Sequence, residues 1–179
     1  MNTLERLLTA GALLGLALLP VAVIIIWMRK KRPDHWLVLI ASRLGLPAAF
    51  GVTLISVIGS LYFSQFLLYE PCNVCWWQRV CMFPLILLLG IAWWKQDGGA
   101  KKYILPLSSI GAVFAAYNSY IQIWPPSSQH CALGGLVDCS SRYIFTLGFI
   151  TIPFVSLIAF LLIFLFMVLW RPELNGKNT

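Results

Sequence analysis

An all-α membrane protein with five spans is the fold class predicted for this chain, and three observations predict it. Apolar residues fill 60% of the 179 positions and charged residues only 11%, with mean hydropathy +0.83. A soluble domain is closer to about half apolar and a quarter charged. Several apolar runs reach the roughly 18 residues that a bilayer-crossing helix needs, and the polar residues between them fall in short, charged turns. The length leaves room for one compact helical bundle and no separate soluble domain.

The first run is GALLGLALLPVAVIIIWM, Gly11 to Met28, followed at once by Arg29, Lys30, Lys31 and Arg32. A signal peptide carries its charges before the apolar core and a small-residue cleavage site after it. Here the heavier charge follows the core and no A-x-A site does, so the run is expected to be an uncleaved anchor with a cytoplasmic C-terminal end. WLVLIASRLGL, Trp36 to Leu46, is too short to span and carries Arg43; it is expected to lie at the cytoplasmic interface. The second span is expected from about Pro47 to Leu68, delivering Glu70, Pro71 and Cys72 to the opposite surface. The third starts near Trp76 and ends near Trp94, where Lys95 to Lys102 make a polar turn. The fourth covers about Tyr103 to Trp124. A polar segment, Pro125 to Arg142, then leads to a fifth span within Tyr143 to Trp170. The expected organisation is an anchor, basic turn and interfacial segment over 1–46, a bundle over 47–170 and a cytoplasmic tail over 171–179.

Charge fixes the orientation. Arg29, Lys30, Lys31, Arg32, Arg43, Lys95, Lys101, Lys102, Arg171 and Lys177 fall on one side of the membrane, and only Arg6, Arg79 and Arg142 on the other. Cations concentrate on the cytoplasmic side of membrane proteins, so the ten mark the cytoplasm. The same clustering accounts for the formal charge of +7 without nucleic acid, which needs its cations spread over an exposed face.

Five cysteines occur, at 72, 75, 81, 131 and 139. Four make two close pairs, Cys72/Cys75 and Cys131/Cys139, and the span assignment puts both pairs on the outer side, where disulfides persist. A C-x-x-C pair closes a very small ring, easily opened and reformed by thiolate exchange, whereas an inert staple gains more from a longer loop. With helix predicted from Trp76, Cys75 sits at a helix N-terminus, where free N–H groups and the dipole stabilise a thiolate. Arg79, four residues on, shares the helical face of Cys75. An arginine at the edge of a span is costly unless it snorkels or is paired, so it is a candidate functional group.

The second pair has seven residues between its members, a loose spacing for the four-thiolate zinc site that the two pairs would otherwise suggest. No metal is expected. Cys81, alone inside the third span, is expected to be a small hydrophobe filling space. Asn118 and Gln122, four apart in the fourth span, share a face and are expected to bridge helices, with a cofactor headgroup as the alternative. Trp76 and Trp77 are expected in the interfacial aromatic belt, and His130 is adjacent to Cys131.

Three stretches, PCNVCWWQR, HCALGGLVDC and LGFITIPFVSLIAFLLI, resemble the DsbB family of membrane disulfide-generating enzymes, most closely its compact BdbC-type members. The resemblance covers roughly Gly51 to Trp170. It implies a four-helix transmembrane bundle, here with one additional N-terminal helix, in a bacterial cell membrane. It further implies an enzyme that takes electrons from a secreted, DsbA- or BdbD-like thioredoxin-fold oxidase and passes them to a membrane quinone, ubiquinone or menaquinone. Cys72 and Cys75 match the family's first redox pair, Cys131 and Cys139 its second, and Arg79 the arginine associated with the quinone. In the implied relay a partner thiolate opens Cys131–Cys139, Cys139 attacks Cys72, and the released Cys75 thiolate passes electrons onward. Residues 1 to about 46 lie outside the resemblance, the second pair is closer together than in larger members, and Gln78 stands where some members carry an acidic residue.

Two other readings stay open. A quinone or epoxide reductase resembling the VKOR family also couples two cysteine pairs to a quinone, although its C-x-x-C lies late in the bundle. A non-catalytic scaffold with a disulfide-stapled outer loop, as in claudin-like proteins, leaves Arg79 without a purpose. Spacing alone fits electron flow in either direction.

Overall fold

The protein is described by a computed structural model over residues 3–32, 35–68, 72–124 and 150–172. These residues form five long helices: α1 (Thr3–Lys31), α2 (Trp36–Gln65), α3 (Asn73–Lys95), α4 (Lys101–Ile123) and α5 (Ile152–Leu169), with a 3-10 turn, Gly98–Ala100, between α3 and α4. Hydrocarbon offers no water to backbone N–H and C=O groups, so a helix, which satisfies them within itself, is what an apolar run of this length forms. All five helices are long and apolar enough to cross a membrane. The chain is a multi-pass membrane protein.

Four helices close into a ring in which α2 packs on α3, α3 on α4, α4 on α5 and α5 on α2. The fifth, α1, lies outside the ring against α5 and, less extensively, α2. This is the bundle with one added N-terminal helix that the sequence predicts. Each ring helix turns one stripe inward. In α4 the stripe is Ile104, Ser108, Gly111, Ala115, Asn118 and Gln122, and in α2 it includes Val38, Ser42, Gly45, Ala49 and Thr53. Steps of four and three residues keep such a stripe on one helical face. Small residues allow helices to approach closely in lipid. Leu46, Leu85, Leu89, Ile104, Phe160, Ile163 and Met167 fill the space between the stripes.

Two boundaries differ from the sequence expectation. The segment Trp36 to Leu46 is not separate from the span after Pro47, because α2 runs unbroken from Trp36 to Gln65 with Pro47 inside it. A proline removes one backbone hydrogen bond but is tolerated where neighbouring helices pack around it, and here Leu46 and Ala49 on either side are fully buried. Helix α3 also starts three residues before Trp76, at Asn73, because the Cys72 sulfur caps it. The polar turn forms as expected. Gln96 takes a left-handed conformation (φ 50) that ends α3, and the Asp97 carboxylate accepts from Gly99 N at 2.7 Å, starting the return into α4.

At the basic end, cations from other helices reach the last carbonyls of α5. Arg29 Nη1 donates to Val168 O at 2.8 Å and Lys101 Nζ donates to Trp170 O. These carbonyls have no partner within their own helix, and positive charge also complements the negative end of the helix dipole.

Two glycines of the ring, Gly45 and Gly111, allow close approach. A Cβ at Gly45 would stand 2.6 Å from Phe166 O, and one at Gly111 would stand 2.5 Å from Cζ of Phe160. Gly51 has open space at the same position. Gly45→Ala and Gly111→Ala should each destabilise by about 1–3 kcal/mol through overpacking, while Gly51→Ala should be neutral or gain up to about 1 kcal/mol of helix propensity. Thermal unfolding in detergent micelles, followed by circular dichroism, distinguishes the three.

Candidate functional site

The cysteine end of the bundle is built on the first turn of α3. Cys72, in extended conformation, is the N-cap, and its Sγ accepts from Cys75 N at 3.4 Å. Its carbonyl accepts from Trp76 N at 3.1 Å. A thiol thus does at this helix start what serine or threonine hydroxyls commonly do. The cap brings the side chains together: Cys72 Sγ and Cys75 Sγ lie 2.8 Å apart, and both thiols are free. Positive charge at the helix N-terminus faces them. The hydrogen bond with Cys75 and, next to it, burial push the Cys72 thiol up, so of the two sulfurs Cys72 is the one that keeps its proton.

Cys72 is buried and Cys75 half-buried, in a small cluster with Val74, Ile121 and Phe114 between α3 and α4. Trp77 stacks on Phe114, with centroids 5.9 Å apart. From α4, Asn118 reaches the pair: Nδ2 donates to Cys75 Sγ at 3.3 Å and approaches Cys72 Sγ at 3.9 Å. Asn118 therefore bridges helices, as its position in the span suggests, but the bridge runs through sulfur. Sequence reasoning placed it on the right face without connecting it to the thiols. The signal was available, since Asn118 lies within two turns of the end of α4 and Cys75 within one turn of the start of α3, the ends of the two helices away from the turn that joins them.

Arg79 is half-buried and turned towards α2. Its Nη1 donates to Ser64 Oγ at 3.4 Å, its Nη2 donates to Ser60 O at 3.3 Å, and the guanidinium lies 5.4 Å from the centroid of the Trp76 ring. Ser60 and Ser64, one helical turn apart in an otherwise apolar stretch, are partners that sequence reasoning missed. Trp76 and Trp77 are about half exposed, as belt residues are. Gln78 is buried and its Nε2 has no hydrogen-bond partner among the described residues, and the same is true of Asn118 Oδ1. Cys81 is 4% exposed within the main core, where it packs as a small hydrophobe. His130, Cys131, Cys139 and Arg142 lie outside the described residues, as do Glu70 and Pro71.

Comparison with known proteins bears on what this arrangement is for. The family model described as Disulfide bond formation protein DsbB matches residues 42–170. The chain is 47% identical over 130 residues to Disulfide bond formation protein C of Bacillus subtilis (strain 168), a match covering 72% of this chain and 93% of that protein. It is 45% identical over 118 residues to the Probable disulfide formation protein C of a Bacillus cereus strain, covering 66% and 85%. It is 39% identical over 131 residues to the Probable disulfide formation protein of Coxiella burnetii (strain Dugway 5J108-111), covering 72% and 88%. No solved structure matches the chain.

The burial pattern predicts a labelling order. In reduced protein held in native micelles, maleimide should modify Cys75 ahead of Cys72 and should leave Cys81 untouched until the protein is denatured. Mass spectrometry of cysteine-containing peptides checks the order. Early modification of Cys81 would contradict its place in the core.

Proposed function

The chain belongs to the DsbB family, and from that membership we propose that it is a membrane protein-disulfide:quinone oxidoreductase. It reoxidises a secreted thioredoxin-fold dithiol oxidase and so drives disulfide formation outside the cytoplasm, with both cysteine pairs on the outer side. The observation that carries this reading is the Cys72 and Cys75 sulfurs, 2.8 Å apart at a helix N-terminus and free to form or break their bond.

Membership of the family supports the following order of events. A partner thiolate attacks Cys131, breaking Cys131–Cys139; the partner's second thiol then displaces Cys131 and leaves as a disulfide. Cys139, now a thiolate, attacks Cys72 in an oxidised Cys72–Cys75 pair and expels Cys75 as a thiolate. Cys131 then attacks Cys139, restoring the outer disulfide and releasing Cys72. Two electrons have moved inward, and each exchange forms one S–S bond for each it breaks. The helix N-terminus and the nearby Arg79 stabilise charge on the Cys75 sulfur, the one expelled when Cys139 attacks Cys72.

A quinone, when bound, supplies the acceptor for the two electrons held by the reduced Cys72/Cys75 pair. The residues at this end fit such a group. Gln78 Nε2 is a buried donor without a partner, and Arg79 stands half-buried at the rim. A carbonyl oxygen is the kind of acceptor that these two donors would hold. Ser60 and Ser64 would keep the guanidinium in place for it.

Redox trapping tests the reading. The purified protein in lipid, mixed with a reduced thioredoxin-fold oxidase, should reduce added quinone. Cys75→Ser should abolish that reduction, and a reduced partner lacking its second active-site cysteine should accumulate a mixed disulfide with Cys131 of the wild type, Cys139 leaving as the thiolate. Inert disulfides and unchanged quinone absorbance in the wild type would favour a stapled scaffold instead. Arg79→Leu should lower kcat/KM for quinone by at least about tenfold, the worth of one charge-assisted hydrogen bond, while thiol exchange with the partner proceeds as before.

A further inference from the structure

Asn118 enters no step of the relay, yet its amide is aimed at both sulfurs of the inner pair. It is fully buried, at 0% exposure, so no water competes for the sulfur it contacts. Among the described residues its Oδ1 is buried without a hydrogen-bond partner. Leucine has nearly the same shape and would avoid leaving that oxygen unsatisfied, a cost that a merely space-filling residue would not carry. The return on the cost is the N–H directed at sulfur. That contact is asymmetric, 3.3 Å to Cys75 and 3.9 Å to Cys72, and the Cys72 sulfur already accepts a backbone N–H as the helix cap.

We propose that Asn118 is a positioning residue: its amide N–H fixes Cys75, and not Cys72, as the sulfur that bears negative charge when the pair is open. The chemical purpose of that choice rests on the relay reading, in which Cys75 is the leaving thiolate, but the geometry does not. The surrounding groups agree with it. The cation near the pair is Arg79, on α3 itself, and α2 presents Ser60 and Ser64 to that arginine. From α4 the pair meets the neutral carboxamide. Of the described carboxylates, Asp97 is at the far end of α3 and Glu5 is on α1, outside the ring. A donor to the charged form favours that form, so removing it must make the Cys75 thiolate harder to form.

The test is the pH–rate profile of iodoacetamide alkylation, resolved for each cysteine by peptide mass spectrometry. It uses full-length reduced protein in micelles with Cys131→Ser and Cys139→Ser in the background. Asn118→Leu should move the midpoint of the Cys75 profile up by about one unit and lower the Cys75:Cys72 alkylation ratio about tenfold at neutral pH. Asn118→Asp, the same shape with a negative charge like that of the thiolate, should move the midpoint further up. Protection of Cys81 reports which variants keep their core, and either folded variant gives the reading. A Cys75 profile unchanged in a folded variant overturns the proposal. The profile needs neither quinone nor partner, so a wild type that fails to reduce quinone would remove the relay and leave the role of Asn118 standing.

Discussion

Phe160 lying against the bare backbone of Gly111 is the contact on which the cysteine end depends. The ring is fully buried and occupies the place a side chain at 111 would take, so it sets how near α4 comes to α5. Seven residues further on, about 10 Å along the axis, Asn118 falls on the same face of α4. Two turns of helix are stiff, so the seat at Gly111 fixes both the depth and the direction of the carboxamide. Helix α3 then meets α4 with Val74 and Ile121 packed beside Cys72. The thiols sit where they do because a phenyl ring below them has no Cβ to climb over.

The two ends of the bundle treat polar groups differently. At the basic end, Arg29 and Lys101 reach carbonyls of α5 that its own helix leaves unpaired. Arg29 comes from α1, so the added helix is tied to the ring by a cation as well as by the apolar contact of Ala12 and Leu19 with Ile158 and Leu162. Lys101 also lies over the ring of Trp170. At the cysteine end, by contrast, Asn118 Oδ1 and Gln78 Nε2 are buried without partners. Unsatisfied buried groups cost stability, and a fold that tolerates them beside a reactive pair keeps donors and acceptors open for something that binds or passes through. The basic end has its own such atoms in Ser42 Oγ and Trp170 Nε1, for which the packing gives no evident reason.

Much of this was legible in the sequence. Five spans, their approximate limits and the cysteine pair at the start of the third follow from run length, charge and spacing. The interior was harder to see, because a membrane helix is apolar on every side and its hydrophobic pattern does not mark the buried face. What marks it is the small and polar residues: Ser108, Gly111, Ala115 and Asn118 in α4, and Ser42, Gly45, Ala49 and Thr53 in α2. Those stripes are spaced like any helical face, and they were present to be counted. The interfacial segment expected before Pro47 came from judging Trp36 to Leu46 by itself, too short to span and carrying Arg43, whereas it continues into the apolar run beyond Pro47 as one helix. The partners of Arg79 were missed for a different reason. Ser60 and Ser64 belong to another helix, and only the packing of α2 on α3 brings them to the guanidinium.

The division between Asn118 and Arg79 follows from where each can stand. A charged side chain taken out of water costs several kcal/mol that a single partner seldom returns. The position facing both sulfurs is fully buried, so a lysine or arginine there would carry that cost whenever the pair is uncharged, which includes the disulfide. A carboxamide does not: it offers an N–H to sulfur in any state and holds no net charge when the sulfur holds none. The cation is therefore placed at the rim, half-buried, backed by Trp76 and tied to α2 through Ser64 Oγ and Ser60 O. There the charge keeps contact with the interface and is not fully desolvated. In the proposed relay the pair alternates between neutral disulfide and charged thiolate, and a neutral donor inside with a permanent charge at the edge serves it, because neither redox state leaves a buried ion without its counterpart.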